Sequence, residues 1–182
     1  MGKSNGKISA LNVREFPEFF EFRTKLKHLL SPSRCYVVEV PMRISQVIGI
    51  KGCIPVTALI ENSVELITAL CPYAIGRHHL RIDSWTRKQT GLEVGQLATV
   101  RFQVHHKPVT ATLPQDLLRE LHREDLLEAF RSLSAGKQNH EIRQIERCAN
   151  PHQRNRKIQK AIEVIHQIRE RKLDSRANAN FL

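Results

Sequence analysis

The apolar period of this chain changes once, at Pro114, and that change constrains the fold more than any other feature. Before it, apolar and polar residues alternate. Phe20, Phe22, Thr24 and Leu26 interleave with Glu21, Arg23, Lys25 and Lys27, the period of two that marks a half-buried strand. After it, apolar residues recur at helical spacing. Leu117, Leu118 and Leu121 are followed by Leu126, Leu127 and Phe130, then Ile142 and Ile145, then Ile158, Ile162, Ile165 and Ile168. Each set places one apolar stripe on a helix. Strands first and helices last make an α+β protein.

The first part reads as six or seven short strands, at 20–26, 35–40, 53–60, 64–70, 79–82, 97–104 and, after a turn at 105–108, 109–113. The turn 61–63 joins two of them as a hairpin. Residues 42–47 suit a helical turn, and 72–76, with Pro72 and Gly76, a loop. Asp83-Ser84 is an N-cap signal for a brief helix over 85–90 that Gly91 ends. So many short strands suit a small closed or half-closed barrel better than an open sheet. The organisation expected is a basic mobile arm at 1–17, a barrel at 18–113, a helical segment at 114–172 and a flexible tail at 173–182. With 182 residues, such a chain buries a core without a disulfide or metal staple.

Several chemistries are missing from the sequence. No apolar run approaches the ~20 residues of a spanning helix. The N-terminal Met1–Lys7 stretch is basic but has no apolar h-region, and no Ser or Thr stands where a myristoylation signal needs one. The expected location is therefore the cytoplasm. Cys35, Cys53, Cys71 and Cys148 form no close pair of the kind that holds zinc. They read as buried free thiols, which pack as small hydrophobes. His78-His79 and His105-His106 are adjacent pairs. Neighbours on a strand point to opposite faces, so neither pair suits one metal ion, and no metal or other cofactor is expected. No nucleophile elbow, Walker loop or dinucleotide fingerprint occurs, which favours a binding module over an enzyme.

Charge is the strongest signal outside the fold. Lys and Arg number 29 against 18 Asp and Glu, a formal net charge of +11. Residues 143–172 hold nine Lys or Arg and three acids. Within them His152, Arg156 and Lys160 share one helix flank at i, i+4 and i+8, with Arg154 and Lys157 beside them. Such a ridge suits phosphates; it equally suits a solvated face that keeps the protein soluble. A second candidate lies around Gly76. Arg77 and Arg81 precede the cap, Ser84 opens the helix and Arg87 lies one turn inside, an arrangement that could hold an anion. Against it stand surface ion pairing of the arginines and the carboxylate of Asp83, which competes for the same charges.

The order of several stretches resembles a bacterial family. They are Lys51-Gly52-Cys53-Ile54-Pro55-Val56, then Gly76-Arg77-His78-His79-Leu80-Arg81-Ile82, then Arg87, Gly91 and Gly95. Thr112-Leu113-Pro114-Gln115-Asp116-Leu117 follows, and finally Pro151 to Ile158 with Arg154 and Lys157. Together, over about residues 19–168, they are similar to proteins that pair a domain of unknown function with a C-terminal segment of the bacteriocin-protection, YdeI or OmpD-associated type. The chain departs from that pattern at Gln96, Gln144, Cys148, Ala149 and Gln153. The resemblance implies a double-split β-barrel, related in outline to swapped-hairpin DNA-binding regulators, and no established reaction.

The function expected is thus a non-enzymatic cytoplasmic module for an anionic partner, either nucleic acid or a small phosphorylated or carboxylated ligand. The alternative, which the family name implies, is an accessory protein in envelope-stress or antimicrobial-peptide tolerance that acts through a protein partner.

Overall fold

The computed structural model of the chain describes residues 17–30 and 35–179, with side chains described to Arg171. The basic arm expected at 1–17, apart from its last residue, and residues 31–34 and 180–182 lie outside the described residues. Six strands form a closed antiparallel barrel in the order β1-β2-β5-β4-β3-β6. They are β1 (Phe20–Leu29), β2 (Cys35–Glu39), β3 (Ile54–Ile60), β4 (Val64–Ala74), β5 (Arg77–Ile82) and β6 (Leu97–Val104). Two short helices interrupt them, α1 (Met42–Ile48) and α2 (Ser84–Thr90). Four more follow: α3 (Gln115–Arg123), α4 (Leu127–Arg131), α5 (Ala135–Glu146) and α6 (Pro151–Ala179).

Two long strands each change partner, and these changes split the barrel. Phe20–Lys25 of β1 pair with β6, whereas Leu26–Leu29 pair with β2. In the same way Val64–Leu70 of β4 pair with β3 and Leu70–Ala74 with β5. Alternation sends every second residue inward. Phe20, Phe22, Val38, Val56, Leu80 and Val100 all join one core, with the Phe102 ring stacked on Phe20 at 5.2 Å and edge-on to Phe22 at 6.1 Å. The helices enclose a second core built on Leu117, Leu121, Leu126, Phe130, Ile142, Ile145, Ile158, Ile162 and Ile165.

The structure corrects the sequence at four places. Residues 72–74 continue β4, leaving only Ile75 and Gly76 as the turn before β5. Pro72 pairs with His78 beside a register shift. Strand alternation turns its missing N–H away from β5, to the side where β3 has not yet begun, so the ladder loses no bond. Residues 109–113 form no strand. The side chain of Asn139 replaces the ladder there, accepting from Ala111 N at 2.7 Å and donating to Val109 O at 2.8 Å. The last helix runs to Ala179, into the expected tail. Finally, the cysteines form no disulfide among the described residues and are not buried: Cys53 is exposed and the other three are half-buried. Cys53 and Cys71 alternate with the inward-facing Ile54 and Leu70, and Cys35 with Tyr36, so all three fall on the outer face of the barrel.

Candidate functional site

Where β4 and β5 part, a cleft of about 490 Å³ opens. Leu66 and Thr68 of β4 form one wall, and Arg81, Ile82 and Ser84 the other. Tyr36 of β2 and Arg143 of α5 complete it. The split itself creates the need for Arg143. Before Leu70 the strand β4 has no partner on its β5 side, and an unpaired backbone carbonyl there needs a donor. The Arg143 Nη1 donates to Ile67 O at 2.8 Å. Burial, followed by the neighbouring Arg147, lowers the Arg143 pKa, and Asp83 pulls it back up. A guanidinium stays charged under such shifts, so Arg143 brings a half-buried positive charge to the cleft.

Three further arginines surround this point. Arg81 Nη2 donates to Cys35 Sγ at 3.7 Å. Arg87 lies over the Tyr36 ring at 3.7 Å, and its Nε is buried without a hydrogen-bond partner among the described residues. Arg147 lies over Trp85 at 4.3 Å and pairs with Asp83 Oδ2 at 2.8 Å. Asp83 is the one carboxylate on the cleft wall, and both its oxygens are engaged, Oδ1 accepting from Thr86 N at 2.8 Å. Burial pushes the Asp83 carboxyl up, but the Thr86 N–H and the Arg147 guanidinium outweigh it and hold the pKa low. The helix start is therefore filled by its own cap.

The sequence-predicted residues divide accordingly. Arg81 and Ser84 line the cleft and Arg87 flanks it through Tyr36. Gly76, with φ 64°, makes the β4–β5 turn, and Arg77 begins β5 there. Four residues of strand, about 13 Å, separate Arg77 from Arg81. Arg143 and Tyr36 were not singled out from the sequence. An arginine amid helical charge and a tyrosine in a strand carry no local signal, because the split that joins them is a property of strand pairing.

The basic helix α6 also divides. Arg154 holds Asp116 of α3 with Nε at 2.5 Å and Nη2 at 3.0 Å, and donates to Ile145 O at 3.0 Å. It is a structural clamp. Lys157 Nζ donates to Gln144 Oε1 at 3.1 Å. His152, Arg156 and Lys160 remain exposed along one shallow groove, which also receives Glu163 and Cys148. Among the described residues no group of three or more His, Cys, Asp or Glu could hold a metal ion, and no helix is long and apolar enough to cross a membrane.

Two family models match the chain and divide it as the two cores do. Residues 22–102 match the Domain of unknown function (DUF1905), which is the barrel. Residues 110–167 match Bacteriocin-protection, YdeI or OmpD-Associated, which is the helical segment. Among curated proteins none matches the chain. The cleft lies where the two regions meet, and the chain is thus similar to DUF1905 in its barrel and to the bacteriocin-protection, YdeI or OmpD-associated proteins in its helical segment.

Proposed function

We propose that the protein is a non-enzymatic cytoplasmic binding module for a small anionic ligand, a carboxylate or phosphate ester, held in the cleft between β4 and β5. One observation carries this reading. Arg143 is half-buried beside the cleft, spends one nitrogen on Ile67 O, and makes no ion pair among the described residues. The carboxylate nearest to it in the cleft is already committed to Arg147 and Thr86. A ligand anion would complete the guanidinium, with Arg81 opposite and Ser84 and Thr68 as hydroxyl partners. Charge-assisted hydrogen bonds of this kind are the strong ones. The reading is preferred to nucleic acid because α6 offers only part of its basic ridge: Arg154 and Lys157 are already engaged within the protein.

Trp85 is the sole tryptophan and sits under Arg147 beside the site, so its fluorescence reports binding. Titration with inorganic phosphate and with phosphoserine should give a saturable change. Arg143→Ala should weaken binding by at least about tenfold, the value of one hydrogen bond to a charged group. Arg156→Glu with Lys160→Glu should leave it unchanged. No saturable change in the intact protein, or equal affinity in Arg143→Ala, rejects the reading.

A second reading comes from the family's name, which speaks of bacteriocin protection and of OmpD association. It points to a protein partner. The β4–β5 turn favours it, since Ile75 is fully exposed and Tyr73 42% exposed at the same hairpin tip.

A further inference from the structure

We propose that Cys53 and Cys71 form a redox-active dithiol, which a low-molecular-weight disulfide oxidises to an intrachain bridge between β3 and β4. The register places them together. Ile54 pairs with Leu70 at the start of the β3–β4 ladder, and one step further out sets Cys53 opposite Cys71. Ile54 and Leu70 both point into the core, so both thiols point outward on the same face.

The kind of pair matters as well. His105 N donates to Pro55 O at 2.8 Å, so the polar groups of Pro55 face away from β4. The Pro55–Ala69 pair is therefore a non-hydrogen-bonded one, and the alternation of antiparallel ladders makes Cys53–Cys71 another. In such pairs the Cα atoms stand about 4.5 Å apart, within the roughly 4.4–6.8 Å that a disulfide spans. No backbone shift is needed to close the bridge.

The two thiols have different surroundings, which sets the order of events. Cys53 is exposed and Cys71 half-buried. Burial, and next the adjacent Cys53, push the Cys71 thiol up, while Arg81 opposes them. The thiolate is the attacking form, so Cys53 reacts first and Cys71 resolves. Cys53 gives its proton to water and its sulfur attacks the small disulfide. The S–S bond of that disulfide breaks, and one thiolate leaves and is protonated. The Cys71 thiol then loses its proton and attacks the Cys53 sulfur, expelling the second small thiolate. The two protein thiols lose two electrons and the small disulfide gains them. Cys35 shares the outer face but sits on β2, which pairs with neither β3 nor β4, so no register sets it opposite either sulfur.

The test uses the full-length reduced protein and oxidised glutathione, with peptide mapping by mass spectrometry under non-reducing conditions. The wild type should show a Cys53–Cys71 bridge with no glutathione retained. Cys71→Ser should trap glutathione on Cys53, and Cys53→Ser should lose both the bridge and the adduct. The Cys35→Ser, Cys148→Ser double variant should form the bridge as the wild type does. Glutathione retained on Cys53 of the wild type, a bridge to Cys35 or Cys148, or no loss of thiols would overturn the proposal. Because the mapping is read on the wild type, a variant that folds poorly does not decide the outcome.

Discussion

Asn139 is the residue that a strand-minded reading of 109–113 misses. Its amide is the same chemical group as a peptide, with one acceptor and one donor set side by side. It meets Ala111 N and Val109 O as a neighbouring strand would, from within a helix, and is itself 5% exposed. The backbone of the segment that links barrel to helices is thus bonded by this side chain, while Ala111 and Leu113 pack on the helical core. Asn139→Ala would strand a backbone donor and acceptor in a sparsely hydrated place, at a cost of about 1–3 kcal/mol. Asn139→Asp keeps the acceptor but loses the donor, and puts a charge against the Val109 carbonyl. Chemical denaturation should find both variants destabilised. A change within about 0.5 kcal/mol for Asn139→Ala, the range of ordinary surface substitutions, would show that the link is held by something else.

Among the elements, β1 and β4 decide the architecture, because each serves two neighbours. Phe22 lies in the half of β1 that pairs with β6, 5% exposed and edge-on to Phe102. Truncating a core phenylalanine costs about 3–5 kcal/mol, so Phe22→Ala should lower the denaturation midpoint steeply. Phe19→Ala, three positions earlier and on the exposed side, should do little. Equal effects would mean the alternation does not face the core as described. That alternation is legible in the sequence for 20–26, and the helix stripes after Pro114 are legible too, because burial imposes a period on one strand or helix at a time. The continuation of β4 through Pro72 is not. A proline is tolerated only where its missing N–H faces no partner, and that depends on where β3 begins. The cleft escapes for the same reason. Arg81 and Ser84 could be named because they flank a cap signal, whereas Arg143 comes from a helix 60 residues further along the chain.

The whole molecule consists of two apolar cores joined by a largely polar seam. Arg143 crosses it to Ile67 O, and Arg147 crosses it to Asp83 and Trp85. Asp83 therefore works on both sides: it caps α2 in the barrel region and binds the helical segment electrostatically. Its carboxyl titrates below its ordinary value of 3.8 in the folded protein. A depressed carboxylate contributes stability that is fully present above its unfolded pKa and is lost as pH falls through the folded one. The seam should thus weaken in acid, below about pH 4. Asp116, held low chiefly by its hydrogen bond from Arg154, adds a loss of the same sign within the helical segment. Asp83→Asn separates the two. It keeps an oxygen for the Thr86 N–H, so the cap survives, but it removes the charge that Arg147 meets. At neutral pH the partly exposed pair should cost no more than about 1 kcal/mol. Stability measured by denaturant titration from pH 7 down to about pH 3 should then fall less steeply in Asp83→Asn than in the wild type. Asp116 still titrates in both, so the difference between the curves belongs to the seam. Parallel curves would mean that Arg147 and Asp83 do not couple the barrel to the helices.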